Sequence, residues 1–515
     1  MTRRTDAATV VGALGEAAAA HGRVPAVVDG DRSLDHATLW RQAGRVARRL
    51  RARGVRNGDV VALAADRSAG LLVGLVGVLR SGATVLPLDV TYPRARLMMM
   101  LQDSGARIVV GHEHTVGPFA GEGREAVVLA DALAGEEVPA DAELPEPHPG
   151  DGCYLLYTSG STGGPKAVLM PHAGLANLVR WQAGASGVGP GSRTLQYGAI
   201  SFDVALQEIF STLATGGTLV CVDEDTRRNP VRTWELMIDS GVERIFLPYV
   251  GLQALVMVAD DVPVERSALR EIIPGGEQLQ CTRALRELLR RLPECRISNH
   301  YGPVETHAVT CHPLEADPGR WLSLPPIGKP IPGNRVHVLD EEGRPAAVGE
   351  IGELYVAGDQ VSYGYWRRPA LTAERFLPSP DGDGGRVYRT GDLARLRPDG
   401  SLDFLGRADD QVKIRGFRVE LAEVEAAVSD HPEVAACGAT VAGDEGIDRV
   451  LVAFVVPRSG FDAEEVRAEL RGRLPGHLVP EVFHAVDALP QLPSGKLDRR
   501  GLRLLAEREP TAGPR

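Results

Sequence analysis

The sequence predicts an α/β protein: a large N-terminal domain of parallel sheets with helices plus a β-barrel-like subdomain, and a small α+β C-terminal domain. Three textures along the 515 residues carry this expectation. From residue 33 to 310, short Val/Ile/Leu runs alternate with helical patterns, as in parallel sheets covered on both faces. After Pro325, short strands are separated by turn residues, an antiparallel signal. From residue 410, strand-like and helical runs alternate again over a length typical of one small domain.

Taken in order, DVVALAA (59–65) and ARIVVG (106–111) read as buried strands. TWELMIDSG (233–241) and ALRELLRRL (284–292) read as helices, because their apolar residues recur three and four positions apart. The acidic, Pro-rich segment 135–151 reads as a solvated connector. RVHVLDEEGRPA, GELYVAG and GSLDFLG supply strands of the barrel-like part. In the last region KIRGFRVE and RVLVAFVVP are strand-like, while LAEVEAAVSDH and AEEVRAELRGRL are helical. Residues 507–515 read as a frayed tail. The domain boundaries follow as 1–408 and 409–515.

Composition excludes several classes. A hydrophobic share of 43% with 24% charged residues is that of a globular protein, and Gly 59 with Pro 36 falls short of low-complexity disorder. The net charge of −11 argues against nucleic-acid binding, which needs a concentrated basic face. The longest nearly unbroken apolar run, AGLLVGLVGVL (69–79), is too short to cross a bilayer. No signal peptide is legible in residues 1–20, and six scattered cysteines without CxxC spacing read as reduced buried thiols, so the expected location is cytoplasmic, with no membrane partner.

The segment Tyr157 to Ala167, YTSGSTGGPKA, places three glycines, four Ser/Thr hydroxyls and one lysine after an apolar run. Backbone N–H groups exposed by glycine, together with hydroxyls, cradle phosphate oxygens, and Lys166 adds a point charge. It is not a P-loop, which requires Gly directly before Lys; here Pro165 intervenes, and a P-loop ATPase is excluded.

This loop resembles the phosphate loop of adenylate-forming enzymes, which include acyl-CoA ligases, luciferases and peptide-synthetase adenylation domains. Six further segments resemble the family's motifs in the family's order: LRSGATVLPLD (79–89), NHYGPVE (299–305), GELYVAGDQVSYGYW (352–366), YRTGDL (388–393), GRADDQVKIRG (406–416) and SGKLDR (494–499). The resemblance covers essentially the whole chain and implies two half-reactions. A carboxylate attacks the α-phosphate of ATP to give an acyl-adenylate and pyrophosphate, and a thiol then takes the acyl group. The resemblance assigns Thr158, Ser159, Gly160, Ser161, Thr162, Gly163 and Lys166 to the phosphates, Tyr301 to adenine, and Asp392 with Arg407 to the ribose. Glu305 resembles the Mg²⁺-associated glutamate, and Lys496 the catalytic lysine that bridges the substrate carboxylate and α-phosphate. Asp409 matches the hinge about which a mobile small domain swings. Three departures stand out: Val304 for Thr, Ala167 for Gly and Ala422 for Gly, the last two tolerable unless the backbone needs positive φ.

Asp203 opens the helical run VALQEIFSTL, so on motif chemistry alone an N-cap competes with a substrate contact. In amino-acid-activating members this Asp pairs with the substrate ammonium. Alignment by flanking motifs places the pocket at Asp203, Val204, Gln207, Phe246, Ile273, Gly275, His300, Ala308 and Val309, with Lys496. The set resembles the proline-selecting pattern of stand-alone nonribosomal-peptide-synthetase adenylation domains, with Gly275 and Ala308 smaller than usual. The implied function is ATP- and Mg²⁺-dependent activation of L-proline or a 4-alkylproline. The acceptor is the phosphopantetheine thiol of a discrete carrier protein in natural-product biosynthesis. No carrier or condensation motif follows the last helix, which reads as a free-standing enzyme, and some members need an MbtH-like partner. Two rivals are a CoA ligase of the same superfamily and a non-catalytic ATP-binding scaffold.

Overall fold

A computed structural model describes residues 8–508 apart from 122, 135–143, 161–163, 383, 409–410, 444–445, 459 and 492–496. The chain divides into two compact units. The first holds residues 1–90, 101–156 and 167–406; the second holds 91–100, 157–166 and 407–515.

The first unit is built on three sheets. One has nine strands in the order Lys329–Pro330, Thr310–Pro313, Arg296–Tyr301, Glu271–Gly275, Arg244–Pro248, Arg193–Gln196, Thr218–Cys221, Pro25–Asp29 and Arg32–Asp35. Its middle strands pair in parallel and its edges antiparallel. A six-stranded sheet runs Glu125–Val128, Ile108–Gly111, Val60–Ala64, Thr84–Leu88, Gly152–Thr158 and Lys166–Pro171. The antiparallel part expected after Pro325 is a five-stranded sheet. It is ordered Asn334–Leu339, Ile351–Gly358, Arg386–Leu396 and Phe376–Pro378, with Leu402–Arg407 also on Arg386–Leu396. The strands expected at 59–65 and 106–111 and the helices at 233–241 and 284–292 are present as Val60–Ala64, Ile108–Gly111, Pro230–Asp239 and Arg283–Arg291. The apolar run at 69–79 forms the helix Ala69–Arg80, buried continuously from Leu71 to Leu79. A helix apolar on every side has no solvent face to offer.

The second unit carries the hairpin Gln411–Ile414/Phe417–Glu420 and a sheet of Val434–Ala442, Val450–Pro457 and Val482–Ala485. Helices Leu421–Ser429, Ala463–Arg473 and Arg499–Arg508 accompany them. KIRGFRVE is therefore two strands rather than one. Arg415 and Gly416 both take positive φ, 48° and 85°, and reverse the chain between them. Ala167 and Ala422 are not among the positive-φ residues, so their methyl groups meet no backbone strain. Most of the 135–151 connector and of the 507–515 tail lies outside the described residues. None of the six cysteines forms a disulfide, and four are buried. No described helix is long and apolar enough to cross a membrane.

Candidate active site

The proposed substrate pocket is assembled from one sheet face and one helix of the first unit. Strands Arg244–Pro248 and Glu271–Gly275 are in parallel register, with Phe246 beside Ile273 and Pro248 beside Gly275. Glu271 pairs with Arg296 on the next strand, which carries the same register on to His300. Ile245, Leu247, Ile272 and Ile297 fill a hydrophobic cluster on one face. Alternation along each strand then puts Phe246, Ile273, Gly275 and His300 on the other face. Helix Asp203–Leu213 packs across that face: buried Arg244 donates from Nη2 to Thr212 Oγ1 at 2.8 Å and from Nε to Thr194 Oγ1 at 3.1 Å.

Gln207, on the same helix, donates from Nε2 to Gln182 Oε1 at 2.9 Å and makes a 3.2 Å contact with His300 Nδ1. The first bond orients the amide, so Nδ1 of His300 accepts and its proton resides on Nε2. That Nε2 is buried without a partner among the described residues. Burial, with His307 and Arg244 nearby, pushes the His300 pKa down to about 3, so the ring is neutral at physiological pH. Trp181 lies against it with ring centroids 5.2 Å apart.

Asp203 is the first residue of its helix and the N-cap position belongs to Phe202, so the capping alternative is not what the structure shows. Its Oδ1 accepts from the Val204 N–H at 2.9 Å, and its side chain keeps 17% exposure. An anion is favoured there by the partial positive charge of the helix N-terminus. Oδ2 lies 3.8 Å from Nδ1 of His307. Val204 is half-buried beside it. Ala308 is buried in the main core cluster of the first unit. Val309 packs the other way, with Tyr301, Ile327 and Leu354. At Gly275 a Cβ would meet nothing closer than the His300 carbonyl oxygen at 4.0 Å, a loose van der Waals contact with no clash.

The loop after Tyr301 holds the second group of candidates. Its backbone closes with Val309 N–H donating to Tyr301 O at 2.8 Å and Thr306 N–H to Pro303 O at 2.9 Å. Gly302 is required here, since a Cβ would sit 1.7 Å from the His307 carbonyl oxygen. His307 itself takes φ 57°, a conformation costly for a residue with a Cβ. Buried Gln360 offsets that strain by donating to the carbonyls of Thr306 at 3.1 Å and Ala308 at 2.8 Å. Glu305 is fully buried, and its Oε1 accepts from the Tyr365 hydroxyl at 2.9 Å. The Tyr301 hydroxyl donates to Asp392 Oδ2, and the Asp392 N–H donates to Thr390 Oγ1 at 3.0 Å. Sequence reasoning did not single out His307, Gln182, Tyr365 or Gln360; only Gln360 and Tyr365 lie inside a quoted motif.

The remaining candidates belong to the second unit. Thr158 ends the strand Gly152–Thr158 and Lys166, buried, begins Lys166–Pro171. Between them a Cβ at Gly160 would lie 1.7 Å from the Gly164 carbonyl oxygen. The Gly160 N–H donates to Glu423 Oε2 at 3.2 Å, and Ser159 Oγ donates to the Arg418 carbonyl at 2.8 Å. The other oxygen of Glu423 accepts from Arg96 at 2.7 Å. A carboxylate thus meets the loop's N–H, the kind of group a phosphate cradle attracts. Arg407 ends the strand Leu402–Arg407. Ser161, Thr162, Gly163, Asp409 and Lys496 lie outside the described residues.

Residues 14–366 match the AMP-binding enzyme family, and 423–496 match the AMP-binding enzyme C-terminal domain. Tyrocidine synthase 2 of Brevibacillus parabrevis is 39% identical over 479 residues, covering 93% of this chain and 13% of that one. Phosphinothricin tripeptide synthetase PhsB of Streptomyces viridochromogenes is 41% identical over 489 residues, covering 92% and 40%. The chain therefore spans well under half the length of these relatives. Among solved structures, NpsA-ThdA, an artificially fused adenylation-PCP di-domain from Klebsiella oxytoca, superimposes with a TM-score of 0.81 at 25% identity. The match covers 93% of this chain and 94% of that one. A family match over more than half the residues, on an α/β fold of the expected architecture, is decisive: the chain belongs to the AMP-binding enzyme family.

Proposed function

We propose that the protein activates L-proline or a 4-alkylated proline with ATP, as an AMP-forming ligase. It would release pyrophosphate and pass the aminoacyl group to the phosphopantetheine thiol of a carrier protein. The observation that best supports this reading is the Asp203 carboxylate at the start of a buried helix whose Gln207 contacts neutral His300, with room for a methyl at Gly275. A half-buried carboxylate in an apolar pocket calls for a cationic partner, which the substrate's ammonium, primary or secondary, supplies. Apart from Lys496, which is assigned to the carboxylate, the candidate set holds no second charged side chain, so a compact apolar ring is the fitting body for the substrate.

In this mechanism Asp203 holds the substrate nitrogen and Lys496 draws the substrate carboxylate towards the α-phosphate. The charge that grows on phosphorus is then met by a cation already in place. Asp392, oriented by Tyr301 and Thr390, accepts from the ribose hydroxyls, and Arg407 supports the same ribose. The loop from Thr158 to Lys166 holds the β- and γ-phosphates. Glu305 fits a magnesium site: it is a hard oxygen donor whose orientation is fixed by Tyr365, and Mg²⁺ uses one or two carboxylates together with phosphate oxygens. The ion would neutralise phosphate charge. Residues 1–408 act as the core and 409–515 as a lid turning about Asp409.

The test is ATP–pyrophosphate exchange with L-proline, D-proline, 4-methyl- and 4-propyl-L-proline, pipecolate and valine. Exchange led by proline or an alkylproline supports the reading; exchange led by valine, or none with any imino acid, overturns the substrate assignment. Offering CoA beside a phosphopantetheinylated carrier separates carrier transfer from CoA ligation, and adding an MbtH-like protein reveals any dependence on one.

A further inference from the structure

Away from this pocket, Asp66, His112 and His114 bring three ligand-type atoms within 4.8 Å of one another. Asp66 follows the strand Val60–Ala64, and His112 follows the adjacent parallel strand Ile108–Gly111. The fold thus brings together residues 46 and 48 positions apart. Asp66 Oδ2 lies 3.2 Å from His112 Nδ1 and 2.6 Å from His114 Nε2. The two rings are stacked nearly parallel, at 11° with centroids 5.7 Å apart.

The His112 tautomer follows from its surroundings. Ser68 Oγ donates to the Asp66 carbonyl at 3.0 Å, which commits its proton. It therefore accepts from His112 Nε2, 3.4 Å away, so Nε2 carries the hydrogen. The same ring edge rests against Gly70, where a Cβ would lie 2.8 Å from Nε2. Nδ1 is then a lone pair aimed at the Asp66 N–H, 3.3 Å away, and at the Asp66 carboxylate. Nδ1 accepts from that N–H and faces the carboxylate oxygen at 3.2 Å, an arrangement that a cation held between the two would stabilise.

We propose that Asp66, His112 and His114 form a binding site for one divalent transition-metal ion, zinc being the probe of choice. Two imidazoles and one carboxylate suit zinc, copper or nickel and do not suit Mg²⁺ or Ca²⁺, which prefer all-oxygen shells. With zinc–ligand distances of about 2.0–2.2 Å, tetrahedral donors sit roughly 3.3 Å apart, close to the Asp66–His112 spacing. His114 is closer than that to Asp66, but its side chain is 71% exposed and swings outward without disturbing any core contact. Solvent completes the fourth position. The ion would staple the ends of two neighbouring strands. Next to Asp66, Arg67 donates to the carbonyls of Gln196, Tyr197 and Gly198 at 3.3, 3.0 and 2.7 Å, on the segment that leads into the Asp203 helix. The site's role is structural, so it stands or falls separately from the substrate assignment.

The experiment uses the full chain stripped of metal by a chelator, then titrated with zinc by calorimetry and with cobalt(II) by visible absorption, beside Asp66→Asn and His114→Ala. The expected result is one zinc per chain, imidazole-coordinated cobalt bands, a zinc-dependent rise in Tm, and at least tenfold weaker binding in each variant. His114 is exposed, so His114→Ala keeps its fold and remains informative if Asp66→Asn does not. Zinc binding of equal affinity in wild type and His114→Ala, or no stoichiometric binding by wild type, overturns the proposal. So does a Tm that rises with zinc equally in all three proteins.

Discussion

At the scale of single residues, Gly275 and Asp203 make opposite demands on a substrate in the proposed pocket. The space beside Gly275 admits a methyl without a clash, and its backbone is not at positive φ. Gly275→Ala is therefore expected to leave stability within about 0.5 kcal/mol of wild type. If the proposed pocket is right, it lowers exchange with 4-propylproline at least tenfold while sparing L-proline; equal losses on both substrates would show that the volume is not part of the pocket. Asp203→Asn keeps the shape and removes the charge. Losing one partner of a buried ion pair costs about 2–5 kcal/mol, so exchange with imino acids should fall by roughly 30-fold or more. Restoration of that exchange by a deaminated ring acid in place of proline would confirm that the loss is electrostatic. Two participants at this scale were not legible in the sequence. His307 owes its place to a positive φ imposed by Gly302 and Gln360, and the His300 proton position depends on Gln182, far away in the chain.

At the scale of elements, the Asp203–Leu213 helix carries a titratable group that its apolar spacing does not reveal. Glu208 is fully buried, and burial pushes its pKa up to about 8 although it accepts from the N–H groups of Tyr197 at 3.0 Å and Gly198 at 3.2 Å. A carboxyl whose folded pKa exceeds its ordinary 4.5 favours the folded state below 4.5 and loses that advantage as pH rises towards 8. The depressed pKa values of His300 and His172, about 3 and about 4, act oppositely and only as pH falls below 6.5. Between pH 6.5 and 8, stability should therefore decline with a slope of up to about 1.4 kcal/mol per pH unit from Glu208, and Glu208→Gln should flatten it. Denaturant titrations at several pH values would measure the slope, and an unchanged slope in Glu208→Gln would refute the assignment. The KIRGFRVE hairpin makes a related point. Period-two patterning marks strand character, but whether one strand or two results depends on the φ that Arg415 and Gly416 adopt.

At the scale of the whole molecule, each unit has its own hydrophobic core. One is centred on residues such as Leu72, Leu75, Leu206 and Phe210, the other on Val424, Val455, Val466 and Leu470. Separate cores unfold as separate cooperative units, so calorimetry should resolve two transitions; a single peak whose van't Hoff and calorimetric enthalpies agree would contradict this. By itself, the sequence determined the α/β class and the family, and it supplied the residues proposed for phosphate, ribose and substrate, because those readings rest on local periodicity and on motifs contiguous in the chain. Only the tertiary structure decided that Phe246, Ile273, Gly275 and His300 share a sheet face, and that Val309 turns away from Ala308 into another cluster. It also decided which buried histidine nitrogen carries the proton, and that Asp66 meets His112 and His114. The reason is physical: strand register, side-chain direction and proton placement are set by partners tens to hundreds of residues away, and no local pattern encodes them.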